Sequence, residues 1–130
     1  MIHHLSFYAT DYAATKKFYE AALAPLGSGV TAEFTASWNP QWPTQRLCAF
    51  GPGDKKVLWV IEAKEKASPR HVAFSAKSKA EVAAFYQAGL AAGGKDNGAP
   101  GLRTDYAPDY YAAFAFDPDG NNVEAVFRNP

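Results

Sequence analysis

The sequence predicts an α+β fold of two βαβββ modules, joined as one curved eight-stranded mixed sheet with both helices on its convex side. Three observations predict it. The chain repeats itself once at half its length. Each copy opens with a stretch of period-two alternation and passes into a stripe of helical period. Each copy then closes on strand-like runs broken by Gly/Pro/Asp turns, the pattern of hairpins.

The repeat is ungapped over its first part. A shift of 67 residues superposes His4-Leu-Ser-Phe-Tyr-Ala9 on His71-Val-Ala-Phe-Ser-Ala76, and Phe18-Tyr19, Leu23 and Gly27 on Phe85-Tyr86, Leu90 and Gly94. At a shift of 66, Phe50-Gly-Pro-Gly-Asp-Lys-Lys-Val57 falls on Phe116-Asp-Pro-Asp-Gly-Asn-Asn-Val123. The modules are therefore bounded at 1–67 and 68–130 within a single domain.

Taken in order, the first strand places Leu5, Phe7 and Ala9 on one face and His4, Ser6 and Tyr8 on the other. Its copy gives Val72, Phe74 and Ala76 against His71, Ala73 and Ser75. The apolar faces are the ones a helix covers, so the histidines point to the opposite side; His3 faces the helix and is incidental. Asp11 is the N-cap expected for the first helix, and Ser78-Lys-Ala-Glu81 is a capping box for the second. Phe18, Tyr19, Ala22 and Leu23, and then Val82, Phe85, Tyr86, Gly89 and Leu90, form the stripes that pack inward. Gly27 and Gly93-Gly94 mark the ends. Gly51-Pro-Gly-Asp54 and Asp117-Pro-Asp-Gly120 are the hairpin turns. Such a unit, duplicated, buries both helix stripes on one side of a sheet and leaves the other side for a ligand.

Composition narrows the function classes. Lys+Arg and Asp+Glu are both 13, so there is no net field to attract nucleic acid, and no run of like charge forms a tail. The longest apolar stretches fall well short of a bilayer span, and no basic-then-apolar leader opens the chain, so a soluble, cytoplasmic protein without membrane association is expected. Cys48, the single cysteine, lies in the strand-like run Arg46-Leu-Cys-Ala-Phe50 and reads as a buried structural residue.

The opening His4-Leu-Ser-Phe and His71-Val-Ala-Phe strands, the duplicated unit, and the ending Asp117-Pro-Asp-Gly-Asn-Asn-Val-Glu124 together resemble the vicinal-oxygen-chelate superfamily, which includes glyoxalase I, bleomycin and fosfomycin resistance proteins and extradiol dioxygenases. Gly93-Gly-Lys-Asp-Asn-Gly-Ala-Pro-Gly-Leu-Arg103 further resembles its glyoxalase-like subgroup. The resemblance implies a divalent metal ion (Zn, Ni, Mn or Fe) held by His4, His71 and Glu124. Its fourth ligand, a glutamate in glyoxalase I, falls by the repeat alignment on Leu58. Glu62, of the same parity but about 13 Å further along an extended strand, is a weak substitute. Relatives often pair as homodimers, so a homodimer is expected.

Two imidazoles and a carboxylate leave coordination positions open, the arrangement in which a substrate with two neighbouring oxygens chelates the metal and developing negative charge is stabilised. The resemblance thus implies a glyoxalase-like lyase or isomerase acting on a small oxygenated substrate, thiol conjugates such as glutathione adducts included, with Glu124 as ligand and base. An extradiol-type dioxygenase is a second reading. A third is a metal-free, bleomycin-resistance-type binder that holds a flat ligand between aromatic side chains. Trp38, Trp42, Tyr106, Tyr110 and Tyr111 are the candidate pocket residues, with Arg103 as a bidentate grip for a carboxylate or phosphate. The loop Trp38-Asn-Pro-Gln-Trp-Pro-Thr-Gln45 is expected to overhang the open side of the sheet.

Overall fold

A computed structural model describes residues 1–129. The first module contains strand β1 (Leu5–Ala9), helix α1 (Tyr12–Leu23), and strands β2 (Gly29–Thr35), β3 (Arg46–Gly51) and β4 (Leu58–Glu62). The second contains β5 (His71–Ser75), α2 (Lys79–Ala91), β6 (Lys95–Leu102), β7 (Tyr110–Phe116) and β8 (Asn122–Arg128). The βαβββ order expected from the repeat is thus present twice.

Both helix starts follow from side-chain chemistry. Asp11 accepts a hydrogen bond from the Ala14 amide at 3.1 Å, and Ser78 from the Glu81 amide at 3.1 Å. Glu81 reaches back to the Lys77 amide, closing a box one residue wider than the usual one. After Leu23 the chain tightens into a 3-10 turn over Ala24–Leu26, and Gly27 ends it at φ 84, a left-handed conformation that glycine adopts without Cβ strain.

The eight strands form two four-stranded mixed sheets, ordered β1-β4-β3-β2 and β5-β8-β7-β6, and this corrects the expected single eight-stranded sheet. The reason is that β1 and β5 each pair on one side only, β1 with β4 and β5 with β8, both in parallel. The modules join instead through their helix-bearing faces. Phe7, Phe18, Tyr19, Phe50 and Val60 of the first module and Val82, Phe85, Ala113 and Val123 of the second belong to one continuous core. Close packing is visible at Gly94, where an added Cβ would stand 2.4 Å from the Phe18 ring and 2.8 Å from the Gly89 carbonyl.

Polar groups lock the join at one end. The buried Asp117 accepts from Tyr19 Oη at 2.6 Å, from the Asp119 and Asn121 amides at 2.9 Å each, and from Asn121 Nδ2 at 2.8 Å. Asp119 accepts from the Thr10 amide at 3.0 Å and from Thr10 Oγ1 at 2.6 Å. The Asp117–Asn121 turn therefore fastens the second module to the end of β1 and to α1. Each sheet presents its other face outward, and these two outward faces are where a ligand would meet the chain.

Candidate metal and substrate site

The outward face of the second sheet is set by strand parity. Phe114 pairs with Glu124, Tyr110 with Arg128 and His71 with Asn122, so Tyr110, Phe114, Asn122, Glu124 and His71 all project from one side. They line an open cleft together with Tyr106. Val123, Ala125 and Ala113, of opposite parity, are in the core.

His71 and Glu124 meet in this cleft. His71 Nε2 lies 3.1 Å from Glu124 Oε1, with the imidazole half exposed at 52% and the carboxylate buried at 3%. His71 Nδ1 is 3.2 Å from the Asn122 carbonyl, which can only accept, so Nδ1 carries a proton and Nε2 is the ring nitrogen turned toward Glu124. Tyr110 Oη donates to Glu124 Oε2 at 2.5 Å. Burial and the Glu124 carboxylate push the Tyr110 hydroxyl up to about 12, so it stays a donor. A proton on Nε2 makes this contact a hydrogen-bonded ion pair, and a cation between Nε2 and Oε1 would take the place of that proton. That separation also suits two atoms each about 2.1 Å from one divalent ion at neighbouring coordination positions. His71 and Glu124 fit two ligands of a metal.

The third expected ligand is elsewhere in the chain. His4 precedes β1, is exposed, and lies against its neighbour, with His3 Nδ1 to His4 Nδ1 2.8 Å. Among the described residues no three His, Cys, Asp or Glu side chains converge to hold an ion.

The fourth position also needs correcting. Ser6 pairs with Trp59, and its repeat mate Ala73 pairs with Glu124, so the mate of Glu124 is Trp59 and not Leu58. Leu58 is buried in the core on the helix side. Glu62 is not a substitute: its carboxylate accepts from the Arg46 amide at 2.9 Å and from Arg46 Nη2 at 2.6 Å, and this pairing holds it below the usual carboxylate range.

The aromatic candidates divide. Tyr110 is in the cleft, and Tyr106, 66% exposed, stacks edge-on against it at 5.2 Å. Tyr111 is on the opposite face, packed against the core with Lys79 Nζ over its ring. Arg103 lies over the Phe114 ring at 5.3 Å and donates from Nη2 to the Ala99 carbonyl at 2.6 Å. Gly98 and Gly101 make its room, since a Cβ at either would approach the guanidinium to 3.1 or 3.2 Å. Trp38 and Trp42 do not reach this cleft. Trp38, 68% exposed, packs on Phe34 at 5.7 Å on the first sheet, and Trp42 lies under Lys64 Nζ in the loop beyond β4. Cys48 is fully buried, as the sequence indicates.

Sequence reading missed Phe114, Asn122, Phe34 and Trp59. The first two carry a legible signal, because they share the even parity of Tyr110 and Glu124. Phe34 and Trp59 (ring centroids 5.8 Å) form, with Trp38, an aromatic patch on the outward face of the first sheet.

The family model for the Glyoxalase/Bleomycin resistance protein/Dioxygenase superfamily matches residues 1–125. Among solved structures, a glyoxalase/bleomycin resistance protein from Albidiferax ferrireducens is 28% identical with a TM-score of 0.72, covering 97% of both chains. A lactoylglutathione lyase from Agrobacterium tumefaciens is 22% identical with a TM-score of 0.66, over 98% of this chain and 92% of that one. A glyoxalase I variant from Zea mays is 23% identical with a TM-score of 0.70, and the match spans 95% of this chain but 45% of the maize chain. Comparison with curated protein sequences gives no match. No helix among the described residues is long and apolar enough to cross a membrane.

Proposed function

The chain belongs to the glyoxalase/bleomycin resistance protein/dioxygenase superfamily, and from that premise we propose that it is a metal-dependent, glyoxalase-like lyase or isomerase that works as a homodimer. The observation that carries the reading is the 3.1 Å approach of His71 Nε2 to Glu124 Oε1, close enough for both atoms to ligate one ion. A third ligand, His4, is assigned to a second copy of the chain, because within one chain it stands apart from the pair. Pairing the aromatic patch of one copy's first sheet with the cleft of the other's second sheet would bring these groups together.

A divalent ion bound there supplies Lewis acidity toward two neighbouring oxygens of a small substrate. The chain's own residues do the rest. Asn122 fixes the His71 tautomer through Nδ1. Tyr110 donates to Oε2 of Glu124 and orients Oε1, the oxygen beside His71, so that the one carboxylate would serve as ligand and base. Arg103, spread over Phe114 at the side of the cleft, offers a planar fork to a carboxylate such as those of a glutathione adduct. Trp59 stands where a second carboxylate ligand would be, so that coordination position is left to water or substrate.

The test is subunit complementation. His4→Ala and Glu124→Gln chains, each inactive alone toward the hemithioacetal of methylglyoxal and glutathione, are mixed under conditions of subunit exchange. A shared site regains activity, because each mixed dimer then has one intact His4–His71–Glu124 set. No recovery in demonstrably mixed dimers overturns the shared site.

A metal-free binder is the second reading, and the Phe34–Trp38–Trp59 patch favours it. It expects tight binding of a flat aromatic ligand that His71→Ala and Glu124→Gln leave unchanged.

A further inference from the structure

We propose that the junction between the β3–β4 hairpin and the end of β5 is a second small-molecule site, separate from the His71–Glu124 cleft, and that it takes a medium-length aliphatic carboxylate. The repeat creates two equivalent junctions, each where the end of one module's opening strand meets the last hairpin of the other module. Their contents differ.

At the first junction the end of β1 meets the β7–β8 turn. Tyr19 reaches in to donate to Asp117, and Thr10 donates twice to Asp119. A pocket of ≈ 10 Å³ remains between β1 and Asn121, and the hollow of ≈ 500 Å³ beside the turn, against Lys66, Gly93, Lys95, Phe116 and Asp117, has no buried aliphatic side chain in its lining. At the second junction, strand register places Pro52 at the counterpart of Asp117, since Phe50 pairs with Leu58 as Ala115 pairs with Val123. Lys77 stands in place of Thr10. Tyr86, the counterpart of Tyr19, gives its hydroxyl to Asp96 on β6, at 2.9 Å within its own module. With no carboxylate to hold it there, no tyrosine fills this junction.

What remains is a cavity of ≈ 390 Å³, within the range of small-molecule sites. Its floor is apolar and buried: Leu23, Phe50 and Leu58 are each no more than 3% exposed, and Leu26 forms a wall. Its exposed lining residues are Gly27, Pro52, Val57, Ser75 and Lys77, of which Ser75 and Lys77 carry polar side chains. The Lys77 ammonium has no carboxylate in ion-pair contact among the described residues, although its backbone amide is taken by Glu81. A deep apolar pocket with one cation at its mouth matches a ligand with an aliphatic chain and one anionic end.

The experiment is titration of the full chain with sodium octanoate, followed by ¹H–¹⁵N correlation spectra, with octan-1-ol as the uncharged comparison. Saturable shifts centred on the amides of Leu26, Ser75 and Lys77 are expected, with octanol binding more weakly. Lys77→Glu, a change at an exposed position, should weaken octanoate binding at least about tenfold, the loss of one charge-assisted contact. Leu26→Trp, which fills the cavity, should abolish it while the spectrum stays dispersed. The proposal is overturned by an absence of saturable shifts, by shifts centred on His71 and Tyr110, or by unchanged affinity in Lys77→Glu.

Discussion

His71 and Glu124 share one cleft with Nε2 and Oε1 3.1 Å apart, and each is held from behind, His71 by the Asn122 carbonyl and Glu124 by the Tyr110 hydroxyl. Outer contacts of this kind aim metal ligands and set their tautomers. Elemental analysis of protein purified without chelator, then resupplied with Ni(II), Mn(II), Fe(II) or Zn(II), should give near-stoichiometric metal in the wild type. His71→Ala and Glu124→Gln should each lower the affinity by more than the roughly 10–100-fold typical of losing an outer contact. Wild-type protein that takes up none of these ions removes the metal reading.

Tyr110→Phe separates positioning from ligation. It removes the 2.5 Å hydrogen bond to Glu124 but neither ligand atom, so metal affinity should fall by about 10-fold and binding should persist. The variant also predicts a pH effect. The hydroxyl titrates near 12 in the folded chain, above its ordinary value of 10, because of burial and then Glu124. Between those values the unfolded chain releases the proton and the folded one keeps it, so this group's contribution to stability falls as pH rises from 10 toward 12. Urea melts should therefore show wild type losing more stability than Tyr110→Phe across that interval. Equal slopes would mean that Tyr110 is not held by Glu124.

The architecture was legible in the sequence because a duplicated strand–helix pattern leaves few ways to bury two apolar stripes. Phe7, Phe18, Tyr19, Val82 and Phe85 all lie in the core. That His71 and Glu124 project from one face was legible because parity fixes the side on which a strand residue points. The position opposite Glu124 was misread by one residue because the turns were matched on their prolines. Gly51-Pro and Asp117-Pro sit at different points of their hairpins, and a one-residue slip in a strand exchanges core face for outward face, here Leu58 for Trp59. The separation of the sheets was hidden too. No local pattern records whether two edge strands pair with each other or the modules join through their helices. The assignment of Trp38 and Trp42 to that pocket failed on the same missing information, whereas Tyr111, next to Tyr110 on β7, is put on the other face by parity alone.

Asp117 is predicted to be the polar group on which the module junction most depends. It is 4% exposed and accepts four hydrogen bonds, from Tyr19, Asp119 and Asn121. Asp117→Ala leaves three backbone or side-chain N–H groups and one buried hydroxyl without an acceptor, and should cost about 3–5 kcal/mol in urea denaturation. Tyr19→Phe removes one of the four bonds and should cost about 1–2 kcal/mol. Similar losses for the two variants would show that the turn is held mainly by something other than this carboxylate.

Gly94 tests the packing between the helices. A methyl group there would meet the Phe18 ring at 2.4 Å and the Gly89 carbonyl at 2.8 Å. The ring can shift only by disturbing the core that both modules share, and the carbonyl belongs to the last turn of α2, where the Gly94 amide itself donates to it at 2.9 Å. Gly94→Ala should therefore destabilise by about 1–3 kcal/mol, the usual cost of overpacking. Phe18→Leu in the same chain frees the space the methyl needs, so the double variant should lose less than the sum of the two single losses. A double-mutant cycle on urea stabilities reads this directly, and strict additivity would mean that the two positions do not touch.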